Sequence, residues 1–565
     1  MGLNAALATA SRSLEVFSAG IQVAGQNISN ADTPGYIREK LKLETALPSK
    51  QGQLVFGTGV SATGIVQQID LFLETRIHSA NSDFRASEAR KTIYQQLETA
   101  IGELGTNDLS TSLNNFLAAI NDVVNQPESG AHRELAIRQG TALADNIGTL
   151  RSRIDQLRQD QTVKVQTLSE EANSLIDTIA ALNPRISTLE ASGLVKSEAA
   201  ALRTQRYNAL NRLSEIVPVR FIERKDRSVD VFSGTDFLIL AGTKQHLETV
   251  ASTDRNVPIV DVQLSETKSV IGTSGKGELA GVLDGRDTVL GGFVDDLDKY
   301  TGHVISEFNK IHASGEGLKG FTSLTADTRV TDPTAVLNAA GLSFTPVHGS
   351  FQLKVTNSRS GLTQTTSIPV DLDGIGSDTT LTSLQTAIDS VGNISASITA
   401  DGRLKISADA DYEFRFADDT SGALASLGIN TFFTGSNSAD IGVNAVVTGD
   451  PDFFASSQGG GPSDGSNAVA LARFSDNAVT ALNNTSLDEF YNNTISTVAN
   501  SSASESAVAD GFKAFRESLS NQRKQFSGVS LDEEAVKLLE FQRSYQAAAR
   551  LISTIDELFG TLLNI

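Results

Sequence analysis

The 565-residue chain contains no cysteine and no tryptophan, and it has only one methionine. Without cysteine it can form neither a disulfide nor a thiolate zinc site, and it has no cysteine nucleophile. The lack of cysteine also suits a protein that crosses between redox compartments in an unfolded state. No stretch approaches the roughly 18 consecutive apolar residues of a spanning helix. We therefore predict no membrane insertion.

Positively charged residues are also fewer than negatively charged ones. The chain has 46 Lys and Arg and 67 Asp and Glu, which gives a net charge of −21. A chain this acidic lacks the basic patches that bind nucleic acid or anionic membranes, so neither is a predicted partner. The N-terminus has no basic segment followed by an apolar block, and no cleaved signal peptide is predicted. The hydrophobic fraction of 39% is enough for several domain cores.

Apolar residues recur at alternating steps of four and three near both ends of the chain. These positions are Leu3, Leu7, Ala10, Leu14, Phe17, Ile21, Ala24 and Ile28 at one end, and Leu538, Phe541, Tyr545, Ala548, Ile552, Ile555, Phe559 and Leu562 at the other. Such spacing is typical of the seam of a coiled coil. Two helices of an ordinary core are the alternative. We predict that the two ends pair with each other and with neighbouring subunits.

The segment "NISNADTPGY" follows the first of these helices. Asn27 and Asn30 tolerate the left-handed geometry that closes a helix. Pro34 and Gly35 fit the second and third positions of a type II turn, where glycine supplies the positive φ. Tyr36 then follows as an amphipathic anchor. The helix is therefore predicted to stop here and the chain to reverse in a fixed direction.

The middle of the chain alternates between helical and β-like patterns. Helical periodicity continues to about residue 216, and Pro184 is predicted to kink or end its helix. Residues 218–270 are β-like, and residues 321–450 have short strands rich in Thr, Ser, Asp and Gly. The composition of 456–467 predicts a flexible linker. The predicted fold is multidomain α+β, with terminal coiled-coil-like helices forming a stalk, a helical bundle domain and a β-rich outer domain.

The predicted domains are nested in the sequence. Residues 1–60 with 515–565 form a terminal helical core, 61–217 with 271–320 and 451–514 form a helical domain, 218–270 form a small β element, and 321–450 form the inserted β-rich domain. The start of the C-terminal helix is marked by a predicted capping box of Ser530 and Glu533.

Motifs for catalysis or metal binding are incomplete. "GPSDG" at 461–465 matches a nucleophile elbow, but a glycine run precedes it and no histidine follows His348. "DLDGIG" at 371–376 has carboxylates at the first and third positions of a calcium loop, yet Ile375 and Thr382 do not fit. We predict that the chain is not an enzyme and binds neither a cofactor nor a metal.

Both ends of the chain resemble one family. "QNISNADTPGYIREK" resembles the N-terminal signature of bacterial flagellar axial proteins, the rod, hook and hook-associated group. "GVSLDEEAVKLLEFQRSYQAAARLISTIDELFGTLLNI" resembles their C-terminal signature. The Gly-Tyr-Ile-Arg sequence and the C-terminal sequence are more similar to those of the hook-associated proteins than to those of the rod or hook proteins. A hook or rod protein is the alternative.

The resemblance implies a structural component of the bacterial flagellum at the junction between hook and filament, extracellular and needed for motility. It implies type III export without a cleaved signal peptide, followed by assembly through the terminal helices. The implied partners are further copies of the chain in an axial ring, the hook protein, a second hook-associated junction protein and an export chaperone. Free terminal helices with an exposed seam are expected to fold on assembly.

The predicted assembly interface combines the two seams with the turn. Its residues are Leu3, Leu7, Leu14, Phe17, Ile21, Ile28, Asn30, Pro34, Gly35, Tyr36, Leu538, Phe541, Tyr545, Ile552, Ile555, Phe559 and Leu562. A different class of function is a surface-exposed binding module in the β domain, for example one that binds glycans. That domain has one tyrosine, Tyr412, and no tryptophan, so it lacks the expected aromatic platform.

Overall fold

The structure, a computed structural model, describes residues 2–51, 53–102, 108–190, 197–271 and 275–563. Its α-helices are α1 (Gly2–Ser29), α2 (Leu71–Ile101), α3 (Leu109–Asn125), α4 (Gly130–Glu190), α5 (Ala200–Ile216), α6 (Glu278–Asp284), α7 (Gly291–Ala313), α8 (Leu381–Asp389), α9 (Ala423–Leu427), α10 (Ala445–Gly449), α11 (Ser466–Leu471), α12 (Leu487–Ser527) and α13 (Leu531–Leu563). A π-helix, Gly285–Leu290, lies between α6 and α7.

The strands form small antiparallel sheets. They are β1 (Glu39–Thr45), β2 (Ser49–Gln51), β3 (Leu54–Phe56), β4 (Val60–Gln67), β5 (Arg220–Glu223), β6 (Val229–Ser233), β7 (Asp236–Leu240), β8 (Thr243–Lys244), β9 (Leu247–Asp254), β10 (Val257–Leu264), β11 (Ser323–Thr325), β12 (Gly349–Asn357), β13 (Thr363–Val370), β14 (Ile394–Ile398), β15 (Leu404–Ala408), β16 (Tyr412–Ala417), β17 (Phe433–Thr434) and β18 (Gly442–Val443). The largest has the order β5-β6-β7-β8. The predicted α+β fold with long terminal helices is confirmed.

The chain forms two compact units. Unit 1 contains residues 1–93, 159–286 and 502–565, and unit 2 contains 94–158 and 287–501. The long helices α2, α4 and α12 each contribute one part of their length to either unit.

The core of unit 1 lies between helices and the strands of residues 220–264. Helix α4 contributes buried apolar residues at helical spacing, including Val165, Leu168, Ala172 and Ile179. Tyr207, Leu210 and Leu213 of α5 complete the helical side, and Val229, Val231, Leu238, Ile239 and Val262 complete the strand side. Along β6 every second side chain is buried. Along the helices the buried side chains recur with the helical period of 3.6 residues, so each element turns one apolar face towards this core.

Unit 2 has a core of two three-stranded sheets with α8. The sheets have the orders β13-β12-β16 and β11-β15-β14. Phe351, Phe414 and Phe416 are fully buried in this core. Unit 2 also contains a cluster of aromatic rings centred on Phe308. The Phe308 ring lies 5.1–5.2 Å, centroid to centroid, from the rings of Phe116, Phe432, Phe433 and Phe474.

Two local expectations differ from the structure. The predicted end of the helix at Pro184 is wrong, because α4 continues through it to Glu190, and a kink at Pro184 stays a prediction. The predicted flexible linker at 456–467 is wrong, because the Asp464 carboxylate accepts hydrogen bonds from Ser457 Oγ at 2.7 Å and from the Gln458 amide at 2.8 Å. These bonds fold the glycine-rich segment onto itself, an arrangement that composition alone does not reveal.

Among the helices that the structure describes, none combines the length and the apolarity that crossing a bilayer requires.

Candidate functional site: the paired terminal helices

Helices α1 and α13 pack along each other within unit 1. They come close together at Gly20, where an added Cβ would lie 2.8 Å from the ring of Phe541. On α13, Ala548 and Ile555 are buried on the same face. A small residue on one helix thus accepts a large ring from the other, which brings the two backbones close together.

The chain reverses after α1 through the turn predicted from Pro34 and Gly35. The Tyr36 amide donates to the Thr33 carbonyl at 3.1 Å, and Gly35 has φ +74°, as a type II turn requires. Neither Asn27 nor Asn30 has a positive φ, so the predicted left-handed closure of the helix is wrong. The Asn30 amide instead continues the helical bonding by donating to the Gln26 carbonyl at 3.1 Å.

Asn27 is fully buried and connects the end of α1 to the returning chain. Its Nδ2 donates to the Glu39 carbonyl at 2.9 Å, and its Oδ1 accepts from the Glu39 amide at 3.0 Å. The Tyr36 hydroxyl donates to the same Oδ1 at 2.9 Å. Burial and the nearby carboxylates of Glu39 and Glu534 raise the pKa of Tyr36, so its hydroxyl stays a donor. Asn27 therefore fixes the direction in which the chain leaves the turn.

Glu534 of α13 completes this network from the other end of the chain. Its carboxylate accepts from Asn27 Nδ2 at 2.9 Å and from Arg38 Nε at 2.8 Å, and Arg38 also pairs with Glu533 at 2.9 Å. Burial acts to raise the pKa of Glu534, but the bonds from Asn27 and Arg38 outweigh it and hold that pKa below its usual value. The Arg38 amide donates to the Ser527 carbonyl at 3.0 Å.

This network was not predicted from the sequence, although its residues lie in the two segments that resemble flagellar axial proteins. Asn27 and Glu534 lie 507 positions apart, so no local pattern indicates their contact. Glu533 was predicted to complete a capping box with Ser530. Its amide lies 3.5 Å from Ser530 Oγ, while its carboxylate pairs with Arg38.

The predicted interface residues vary in burial. Ile555 is buried; Leu3, Leu7, Leu14, Phe17, Ile21, Ile28, Asn30, Gly35, Tyr36, Leu538, Phe541, Ile552 and Phe559 are half-buried; Pro34, Tyr545 and Leu562 are exposed. The buried residues of α1 are Ala10, Val16, Gly20, Val23, Ala24 and Asn27. Ala10 and Ala24 belong to the predicted stripe and the other four lie beside it, while the larger side chains of the stripe are only half-buried.

Unit 1 leaves large apolar side chains in solvent beside the helix pair. On α13, Leu551 and Leu558 are 47% and 49% exposed, and Leu562 is exposed on the same flank. The β2–β3 hairpin exposes Leu54 and Val55. A cavity of about 360 Å³ next to Phe17, Phe541 and Leu41 adds to this surface. Exposed large apolar side chains grouped on one flank of a helix are typical of protein–protein contact sites.

One side-chain cluster in the described ranges has the composition of a cation site. His348, Asp371 and Asp373 place possible ligand atoms within 4.8 Å of one another. His348 Nδ1 lies 3.1 Å from the Asp371 carboxylate and accepts from the Leu372 amide at 3.3 Å, and the cluster is largely exposed. A solvated histidine–aspartate contact accounts for this grouping.

Comparison with known proteins finds two matching protein families and relatives that align with nearly the whole chain. The family described as "Flagellar hook-associated protein FlgK helical domain" matches residues 94–325, and "Flagellar basal body rod FlgEFG protein C-terminal" matches 524–565. Flagellar hook-associated protein 1 of Escherichia coli (strain K12) is 24% identical, with 98% of each chain covered. That of Bacillus subtilis (strain 168) is 23% identical, covering 99% of this chain and 97% of the relative. The chain is therefore similar to flagellar hook-associated protein 1 over nearly its whole length.

A solved structure of the same name is also similar. The flagellar hook junction protein FlgK from Burkholderia pseudomallei has 15% identity and a TM-score of 0.49, covering 81% of this chain and all of that one. The similarity supports a structural component of the bacterial flagellum. The Asn27–Arg38–Glu534 network joins the two segments that carried the sequence resemblance.

Proposed function

We propose that this chain forms the junction layer between hook and filament, and that the α1–α13 pair is the part that inserts into the axial structure. The observation that carries the proposal is the flank of Leu551, Leu558 and Leu562, which remains exposed beside a firmly paired helix. Burying such side chains stabilises an assembly by about 1.5–3 kcal/mol for each fully buried leucine. Repeated heterologous contacts on this flank would build a ring or tube from identical subunits.

The proposed neighbours follow from the family. They are further copies of the chain, the hook protein on one side and a second hook-associated junction protein on the other. We also propose the seventeen-residue interface and the nested domain boundaries given above, with the seam residues that the pair leaves partly exposed contacting neighbouring subunits. The binding-module alternative draws no specific support from the β-rich domain.

Export is the second part of the proposal. The chain would leave the cell unfolded through the flagellar type III channel without a cleaved signal, for which its lack of cysteine is suitable. An exposed apolar flank near the C-terminus is an aggregation hazard before assembly. A cytoplasmic chaperone that covers α13 would remove this hazard.

A hook or rod protein is the alternative that one observation favours. The match at 524–565 is to a rod protein C-terminal family, while the match at 94–325 is to the hook-associated helical domain. The two possibilities differ in position, because a rod protein assembles below the hook and a junction protein assembles at its distal tip.

The test adds purified full-length protein to isolated flagellar hooks and records density at their tips by electron microscopy. The Leu551→Glu/Leu558→Glu variant should fold normally and lose tip binding, because each charge would be desolvated in the assembled state. Leu362→Glu, at an exposed leucine of the β12–β13 loop, is the matched control and should bind as the parent does. Equal tip binding by the double variant would exclude this flank, and binding along the proximal end would support the rod alternative.

A further inference from the structure

A cleft of about 460 Å³ lies within unit 2. Its walls are the last turns of α2, the start of α7 and the first half of α12. Aromatic rings of Tyr94, Phe293 and Phe490 line it, together with aliphatic groups and hydroxyls. This volume is within the range of small-molecule sites, and helical bundles hold such sites between their helices.

Two carboxylates are the charged groups of this cleft. Asp295 and Asp296 are consecutive on α7 and also line it. They follow Gly292 by three and four positions, so all three lie on one face of the helix. Burial raises the pKa of Asp296 and the Asp295 charge adds to this, while Lys299 opposes it. A carboxylate that is partly removed from water gains from a cation brought beside it.

Gly292 lines the cleft without a side chain of its own. An added Cβ would meet nothing within 4 Å, and the residue sits in a regular helix, where glycine costs about 1 kcal/mol relative to alanine. The lack of a side chain does, however, leave the cleft open. Thr288 and Val289 of the π-helix form its adjacent wall, and π-helical turns occur frequently at functional sites.

We propose that this cleft is a binding site for an aliphatic amine cation. The hydrocarbon stem would lie along Tyr94, Phe293 and Phe490, and the ammonium group would contact Asp295 and Asp296. The faces of aromatic rings attract ammonium groups and also pack against methylene groups. The same aromatic walls can therefore contact both the charged end and the hydrocarbon stem of the ligand. The proposal is independent of junction assembly, because its residues belong to unit 2.

The test uses the full-length protein and isothermal titration with cadaverine at neutral pH, where both amines are charged. We expect saturable binding at one site, and none with the neutral isostere 1,5-pentanediol. A parallel titration with N-acetyl-lysine amide distinguishes the source of the ligand. Comparable affinity for this compound indicates a lysine side chain of another protein, and preference for cadaverine indicates a free amine.

Variants locate the site on the chain. Gly292→Phe fills the cleft, and Asp295→Asn/Asp296→Asn removes its charge; each should weaken cadaverine binding at least about tenfold. Asp371→Asn/Asp373→Asn removes the same charge from an exposed pair elsewhere and should leave the affinity within about twofold. Thermal melts confirm that each variant folds. Absence of saturable binding overturns the proposal, and so does binding that neither cleft variant weakens.

Discussion

Replacing Glu534 with glutamine tests whether the buried network holds the two ends of the chain together. The Glu534 side chain is 2% exposed and the Arg38 side chain 10% exposed, so neither can exchange its partner for water. Glutamine keeps the shape of the side chain but removes the charge. It also turns an amide NH2 group towards donors on Asn27 or Arg38, which leaves one of them unsatisfied.

The size of the effect follows from the contacts that remain. Removing one partner of a buried ion pair costs about 3–5 kcal/mol. Arg38 keeps Glu533 at 2.9 Å, whose side chain is 62% exposed and therefore compensates only in part. We expect Glu534→Gln to destabilise the α1–α13 pair by about 2–3 kcal/mol.

Hydrogen exchange followed by mass spectrometry on peptides from α1 and α13 measures this loss directly. A cost of about 2 kcal/mol corresponds to roughly thirtyfold lower protection. Arg38→Met alone should have a similar effect, and the double variant should cost less than the sum of the two. Glu248→Gln, which breaks the exposed pair with Lys268, is the control and should not change protection. Unchanged protection in Glu534→Gln, or additive effects of the two changes, would refute this reasoning.

Two further predictions concern acid stability and helix approach. Burial lowers the pKa of His78 and of His312 to about 4 from 6.5, so the unfolded chain binds protons first and stability should fall as pH drops from 6.5 towards 4. Thermal melts from pH 7.5 to 4.5 check this, and a constant melting temperature would contradict it. Gly20→Val should cost about 1–3 kcal/mol by displacing Phe541. Gly25→Val is the control, because an added Cβ at that position meets nothing within 4 Å. Its melting temperature should fall less than that of Gly20→Val.

Local features of this protein were predictable from its sequence, and long-range ones were not. The type II turn at Pro34 and Gly35 follows from the dihedral preferences of two residues. The heptad stripes predicted α1 and α13 as helices because periodicity reports which face is covered. It does not report which element covers that face, so the burial of Val16, Gly20, Val23 and Asn27 beside the predicted stripe was not expected.

Side-chain hydrogen bonds account for the remaining differences. Asp464 orders a segment whose composition predicted a flexible linker, and Glu534 reaches two residues near the opposite end of the chain. Neither contact leaves a periodic trace in the sequence. The cleft at Gly292 also requires three separate helices to be placed together before it exists.

The most direct test of the central claim is an electron cryomicroscopy map of this chain assembled on isolated hooks, at a resolution that shows side chains. We expect α1 and α13 of each subunit to remain paired, with Arg38 against Glu534, and Leu551 and Leu558 to be buried against a neighbouring subunit. A map in which that flank faces solvent, or in which α1 pairs with α13 of another copy instead of its own, would contradict the proposed mode of assembly.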